Sequence, residues 1–180
     1  MSDAAIDACC LIDLLVSDHA EEMLRSYGLT WHLPAAAQAE VKYIRQLDST
    51  RPGQIVPVPV DLSPLIGAGV LNSCQVENKT ESDLFVHYAT QFRTDGEAMC
   101  IALAQSRGWA IATDDRKAIN VAKATGLTVI CCPEIVKNWA DVCQPDQSVV
   151  IQSIQNIELF AQFRPNMTMP EYQWWINQVP

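Results

Sequence analysis

The chain has 180 residues, of which 49% are hydrophobic and 18% are charged. These proportions are typical of one globular domain, and they exclude a disordered, collagen-like or coiled-coil chain. The 12 lysine and arginine residues face 21 aspartate and glutamate residues, which gives a net charge of −9. This balance argues against nucleic-acid binding through a broad basic face, but acids that hold divalent cations can still approach a phosphate.

The cysteines and apolar runs indicate where the protein resides. There are seven cysteines, an odd number, and no two are spaced as Cys-x-x-Cys. We therefore expect reduced, buried thiols, with neither a zinc site nor a disulfide framework. No basic segment followed by an apolar one opens the chain, and no apolar run reaches the ~18 residues needed to span a bilayer. These features predict a soluble, cytoplasmic protein with no membrane partner.

The predicted elements of the first half of the chain alternate strands with helices. In chain order they are a strand at 4–6, helices at 11–15 and 19–27, a strand at 29–33, a long helix at 35–47, an extended connector at 50–64, a short helix at 62–71, a short strand at 73–76 and a helix at 83–92. Gly28 is placed to end the second helix, and Pro34 suits the first turn of the long one. Thr80 or Ser82 is expected to cap the helix at 83–92.

The second half of the chain is more regular. It predicts a helix at 95–107, a strand at 109–113, a helix at 116–125, a strand at 127–131, a helix at 133–142 and an amphipathic tail. Strands that alternate with helices of this length predict a parallel sheet with right-handed crossovers. We therefore predict an α/β three-layer sandwich with a central, mostly parallel sheet over 1–143. A helical extension over 144–180 is expected to pack on the same domain, with Trp174 and Trp175 either packed or exposed as a partner surface.

Acidic residues follow predicted strands or open predicted helices at three separate places. They are Asp7, the pair Asp95 and Glu97, and the pair Asp114 and Asp115. In an open parallel sheet the carboxyl ends of central strands line one crevice, so Asp7 and the Asp114 pair should converge. Crowded carboxylates persist if cations neutralise them or if some keep a proton, and such oxygen ligands suit Mg²⁺ or Mn²⁺. Taken singly, each acid could instead cap a helix or lie in solvent.

Four segments, in their order and spacing, resemble the PIN-domain nucleases. The segments are Ile6-Asp7-Ala8-Cys9-Cys10-Leu11-Ile12-Asp13, then Leu33-Pro34 with Ala39-Glu40-Val41, then Asp95-Gly96-Glu97-Ala98 with Ile101-Ala102-Leu103-Ala104, and Ala112-Thr113-Asp114-Asp115-Arg116 with Ala122-Lys123 and Gly126. The resemblance covers about residues 4–142. One departure is the pair Cys9-Cys10, because the family commonly has small hydroxyl or amide residues after the first acid.

This resemblance implies a metal-dependent ribonuclease with a PIN-like fold. The family's catalytic acidic quartet corresponds to Asp7, Glu40, Glu97 and Asp114, which would bind Mg²⁺ or Mn²⁺. Asp95 and Asp115 would be supporting metal ligands, and either Asp95 or Glu97 could be the third acid.

The resemblance also implies how RNA would be bound and which partners to expect. Metal ions would activate a water molecule and clamp the phosphate, and Thr113 would position either Asp7 or the phosphate by a hydrogen bond. Arg116 and Lys117 would contact the substrate, with simple solvation as their alternative. Many members are toxins of bacterial toxin–antitoxin pairs, so an RNA substrate, an antitoxin protein and a homodimer are the implied partners.

Two other classes of function compete with the nuclease hypothesis. A catalytically inactive PIN-like module would bind RNA or a protein partner without turnover, but the complete quartet argues against it. A phosphotransfer receiver or phosphatase would also carry an acidic pocket. However, the first strand is not followed by an Asp-x-Asp-x-Thr/Val segment.

Overall fold

The computed structural model describes residues 2–179. Its strands are β1 (Asp3–Ile6), β2 (Thr30–Pro34), β3 (Tyr43–Leu47), β4 (Ile55–Pro59), β5 (Leu71–Cys74), β6 (Ala110–Ala112) and β7 (Val129–Ile130). Its helices are α1 (Ala8–Leu15), α2 (Ala20–Ser26), α3 (Ala35–Glu40), α4 (Ser63–Gly67), α5 (Lys79–Ala89), α6 (Asp95–Arg107), α7 (Arg116–Ala124), α8 (Cys132–Cys143), α9 (Gln147–Asn156) and α10 (Tyr172–Gln178). A π-helical turn, Ile157–Ala161, continues α9.

Five parallel strands form the central sheet in the order β5-β2-β1-β6-β7. The strand β1 lies at its centre, with Ala5 aligned to His32 of β2 and to Ile111 of β6. Small and apolar residues fill β1 and β6 because helices cover both faces of a parallel sheet. The predicted α/β three-layer architecture with a parallel sheet is therefore confirmed.

The flanking helices form two packed groups. The helix α6 lies against β1, β2 and β6 and also contacts α3 and α5, whereas α1, α2 and α8 pack together. The helix α6 ends at Gly108, which adopts the left-handed backbone (φ +69°) that glycine accommodates without strain. This arrangement directs the carboxyl end of β6 and the amino end of α6 toward the carboxyl end of β1.

The prediction of a long helix over residues 35–47 is wrong beyond Glu40. Residues Tyr43–Leu47 instead form β3, which pairs antiparallel with β4 as a separate two-stranded ribbon. Exposed and half-buried residues alternate along both strands, which is the period of a strand. The prolines of β4 are accommodated because this ribbon has no third strand that needs their missing N–H groups.

One further local expectation needs correction, and one open alternative is decided. Asn78, not Thr80 or Ser82, caps α5, because its side-chain oxygen accepts a hydrogen bond from the Glu81 amide. In the tail, Trp175 is buried in the same hydrophobic core as Ile154 and Ile157, which agrees with the packed alternative for this residue. Its indole N–H donates to Glu158 over 2.9 Å.

None of the helices described between residues 2 and 179 combines the length and the hydropathy needed to cross a bilayer.

Candidate functional site

Asp7 lies at the point where β1 passes into α1. It is the N-cap residue of α1, and its Oδ1 accepts a 2.8 Å hydrogen bond from the Ala8 amide. Its Oδ2 accepts from the Thr113 hydroxyl over 3.0 Å and from the Cys9 thiol over 3.1 Å. Only 2% of the residue is exposed. The thiol of Cys9 thus supplies a second side-chain donor to the same oxygen of Asp7.

Asp114 follows β6 on the neighbouring strand. The Asp7 amide donates to the Ala112 carbonyl over 2.9 Å, so the ends of β1 and β6 are held side by side. Both carboxylate oxygens of Asp114 accept from the Cys132 amide, over 3.0 and 3.1 Å. Asp7 and Asp114 consequently meet at the carboxyl edge of the sheet, as the sequence predicted.

The charges of three acids act on one another in this crevice. The pKa of Asp7 is raised to about 6, mainly by burial and also by the nearby charge of Glu97, while the hydrogen bonds that Asp7 accepts oppose the rise. Burial likewise raises the pKa of Asp114 to about 7, with the charge of Asp7 contributing and the Cys132 amide opposing. Asp7 therefore interacts electrostatically with both Glu97 and Asp114, and a bound cation would relieve this repulsion.

Glu40 reaches the same region from the end of α3. Its Oε1 accepts a 2.9 Å hydrogen bond from the amide of Gly96, the residue before Glu97. A Cβ atom at position 96 would lie 2.7 Å from that oxygen, so the close approach requires glycine. Glu97, in the first turn of α6, accepts a hydrogen bond from the Thr94 hydroxyl. The start of α6 thus brings together the two glutamates of the predicted quartet.

The two supporting acids occupy different positions. Asp115 is the N-cap of α7, and its Oδ1 accepts a 2.7 Å hydrogen bond from the Ala118 amide. Asp95 is exposed as the first residue of α6, and within residues 2–179 its side chain makes no hydrogen bond or ion pair. Asp115 suits the helix-capping alternative and Asp95 the solvent alternative, and their roles as metal ligands stay predictions.

The predicted substrate-binding residues are divided among three environments. Thr113 is buried and holds Asp7. Arg116 is exposed and lines a cavity of about 590 Å³ that also contains Asp114, Asn120 and Lys123. Lys117 instead donates to the Gln91 carbonyl and lies 5.2 Å from the centre of the Phe92 ring. Of the two predicted cations, Arg116 is the one that shares a cavity with an acid of the quartet.

Sequence reasoning missed two residues beside Asp114. One atom each from Asp13, Asp114 and Cys132 lies within 4.8 Å of the other two. Asp13 is 6% exposed on α1, and Cys132 is fully buried at the start of α8. The available signal was a single acid within an otherwise apolar helix, since a buried charged residue requires a partner or a proton.

The donor groups at the sheet edge have the chemistry that a hard divalent cation prefers. Asp7, Glu97 and Asp114 provide carboxylate oxygens, and the repulsion of Asp7 with each of the other two favours a compensating positive charge. Among residues 2–179, however, the three potential ligands whose atoms lie within 4.8 Å of one another are Asp13, Asp114 and Cys132, so the predicted quartet would have to draw closer together around an ion.

Neither a protein-family model nor a curated protein matches this sequence. The case for a function therefore depends on the geometry and chemistry of the residues themselves.

Proposed function

We propose that the protein is an endoribonuclease of the PIN-domain type that depends on Mg²⁺ or Mn²⁺. One observation carries the proposal: Asp7 and Asp114 follow adjacent central strands and meet at the carboxyl edge of the sheet. Glu40 and Glu97 support it, because both are held at the start of α6 beside that edge. A parallel sheet with charged side chains at its central carboxyl edge is a common position for an active site.

The four acids of the quartet would share the binding of the cation. Asp7, Glu97 and Asp114 would hold the cation directly, and Glu40 would do so directly or through water. When bound, the cation would lower the pKa of a water molecule and neutralise charge on the scissile phosphate. Thr113 and Cys9 orient the Asp7 carboxylate, while the Gly96 amide orients Glu40.

The cavity beside Asp114 is our candidate for binding RNA. Arg116 and Lys123 supply positive charge there, and Asn120 supplies an amide that can donate and accept hydrogen bonds. Its volume of about 590 Å³ falls within the range of small-molecule sites, so one nucleotide would fit. The same lining also contains the carboxylates of Asp114, Glu134 and Glu171, so Arg116 and Lys123 would contact the phosphate while a bound cation offsets the remaining negative charge.

Cleavage of a mixed RNA pool tests the proposal. The native chain should cleave with Mn²⁺ or Mg²⁺ and stop when a chelator removes the metal. Asp7→Asn and Asp114→Asn should each lower cleavage at least about 100-fold, because each removes a charged ligand. Asp83→Asn changes an acid that is ion-paired to Lys79 on the exposed surface of α5, and it should keep native activity.

Two outcomes would contradict the nuclease proposal. Equal activity of the native chain and both site variants would assign the cleavage to a contaminant. Inactivity of the well-folded native chain with every metal tested, combined with retained RNA binding, would favour the inactive binding module. A toxin role, an antitoxin partner and a homodimer stay predictions that depend on the family resemblance alone.

A further inference from the structure

Asp13, Asp114 and Cys132 form a compact cluster of potential ligands. The three side chains come from α1, from the end of β6 and from the start of α8. One oxygen of each carboxylate and the Cys132 sulfur all lie within 4.8 Å of one another. A cation placed between them could contact all three after small side-chain adjustments.

The Asp13 side chain is a second, independent indication of a ligand. It is 6% exposed, yet no donor among residues 2–179 gives it a hydrogen bond. Every fully enclosed side-chain oxygen or nitrogen described in this chain has a hydrogen-bond partner. The carboxylate oxygens of Asp13, which have no hydrogen-bond partner among these residues, must therefore be slightly exposed to solvent. Water or an ion can reach them from there. A buried carboxyl without a partner is unusual enough to require an explanation.

The chemistry of the cluster differs from that of the predicted quartet. The quartet offers only oxygen, whereas this cluster offers two carboxylates and one sulfur. A thiolate favours zinc and similar borderline-soft cations over Mg²⁺, which prefers water and oxygen. Three protein ligands would leave the fourth position of a tetrahedral ion open to water.

We propose that Asp13, Asp114 and Cys132 form a binding site for a borderline-soft divalent cation of the Zn²⁺ class. Binding would release the Cys132 thiol proton to solvent, so that the thiolate becomes a ligand. Asp13 would gain the partner that it lacks, and Asp114 would keep the amide of Cys132 as its orienting donor. The site itself does not depend on the proposed nuclease function.

One consequence does rest on the proposed function, because Asp114 belongs to both sites. A Zn²⁺ ion held by Asp114 would withdraw that carboxylate from the Mg²⁺ or Mn²⁺ site. Zn²⁺ should therefore inhibit RNA cleavage by the native chain in the presence of Mn²⁺, and Cys132→Ser should weaken that inhibition.

Titration with Co²⁺, a spectroscopic substitute for Zn²⁺, tests the site directly. The metal-free native protein should bind one equivalent and show a thiolate-to-cobalt charge-transfer band in the near ultraviolet. Cys132→Ser should abolish the band, and Asp13→Asn should weaken binding by at least about tenfold, as expected for loss of a charged ligand. Cys143→Ser removes an exposed thiol and should leave the titration unchanged.

Thermal unfolding is a second measurement, and it distinguishes loss of metal binding from misfolding of a variant. Zn²⁺ should raise the thermal unfolding midpoint of the native protein and of Cys143→Ser clearly more than that of Cys132→Ser or Asp13→Asn at the same Zn²⁺ concentration. Native-like circular dichroism of the metal-free variants shows that they fold. Absence of the cobalt band in the native chain would overturn the site. Its loss in Cys10→Ser with retention in Cys132→Ser would overturn the assignment of the thiol.

These experiments separate failure of the site from failure of the proposed function. If the native chain binds Co²⁺ through Cys132 but cleaves no RNA, the cation site is supported and the nuclease proposal is refuted. If it cleaves RNA with Mn²⁺ but shows no cobalt band, the nuclease proposal is supported and the cation site is refuted.

Discussion

The Thr113 hydroxyl donates a 3.0 Å hydrogen bond to the carboxylate of Asp7, a residue 106 positions away in the chain. The same hydroxyl oxygen accepts a hydrogen bond from the Asp115 amide over 3.3 Å. Thr113 therefore links the end of β1 to the turn that leads from β6 into α7. The orientation of Asp7 depends on this link, since the other side-chain donor to the same oxygen is the weaker thiol of Cys9.

Replacing Thr113 with valine tests that link. Thr113→Val keeps the shape of the side chain but removes the hydroxyl, which leaves the buried Asp7 oxygen with a single thiol donor. We expect the free energy of unfolding to fall by about 1–3 kcal/mol, because a buried hydrogen bond is lost. Urea denaturation measures this change. Thr113→Ser keeps the hydroxyl and should recover most of the RNA cleavage, whereas equal cleavage by the valine and serine variants would contradict the positioning role.

Gly96→Ala should displace the Glu40 side chain while changing the stability of the fold only slightly. The added Cβ would lie 2.7 Å from Oε1 of Glu40 and 2.9 Å from its Cδ. The Glu40 side chain can rotate away, so the free energy of unfolding should change by no more than about 1 kcal/mol, the scale of alanine's helix preference over glycine. RNA cleavage should nevertheless fall strongly because Glu40 is displaced.

Gly67→Ala is the matched control for this substitution. It changes another helical glycine whose added Cβ would meet no atom within 4 Å. Thermal unfolding and cleavage assays of both variants provide the comparison. Unchanged cleavage by Gly96→Ala would show that the position of Glu40 is unimportant.

The ion pair between Glu81 and Arg107 predicts a pH dependence that is independent of the site. Arg107 Nε and Nη2 donate to Glu81 over 2.8 and 3.0 Å, and this pair joins α5 to α6. The hydrogen bonds from Arg107 hold the pKa of Glu81 below its ordinary value of 4.5. The folded state therefore favours the charged form. The contribution of this ion pair to stability is fully present above pH 4.5, and it is lost as the pH falls through the lowered pKa of Glu81.

Glu81→Gln should remove that part of the acid dependence. At pH 7 the variant should be less stable by about 2–3 kcal/mol, because Arg107 loses the buried carboxylate that accepts two of its hydrogen bonds and keeps Glu77, 3.6 Å away, as a weaker charged partner. Guanidinium denaturation between pH 3 and 7 measures both effects. The exposed pair of Lys79 and Asp83 is the control, and Asp83→Asn should lower stability by less than about 1 kcal/mol. Identical acid dependence of the native chain and Glu81→Gln would refute the assignment.

Arg116→Gln tests the cavity beside Asp114 as the place where RNA binds. If Arg116 contacts a phosphate, the variant should bind RNA about two to five times more weakly, with a shallower dependence on salt concentration. Fluorescence anisotropy with labelled RNA measures both quantities. Lys79→Gln removes an exposed cation of α5 that does not line the cavity and should have no effect. Equal weakening by the two variants would indicate a nonspecific effect of net charge.

The α/β class could be predicted from the sequence because strands and helices alternate regularly between residues 95 and 142. The strands there are short, continuous apolar runs and the helices are longer segments, and Gly108 and Gly126 separate them in left-handed turns. The convergence of Asp7 and Asp114 also followed, since both come after central parallel strands. The prediction of a long helix over residues 35–47 was wrong because the local pattern favours a helix, whereas residues 43–47 pair with β4 over residues 55–59.

The sequence by itself thus determined which strands pass through the core and which acids end them, because a short apolar run followed by an acid is a local feature. Only the tertiary structure decided that Glu40 meets the Gly96 amide and that Asp13 lies beside Asp114 and Cys132. These contacts join segments that are distant in the chain. They depend on the packing angles of α1, α3, α6 and α8, and no local pattern in the sequence specifies those angles.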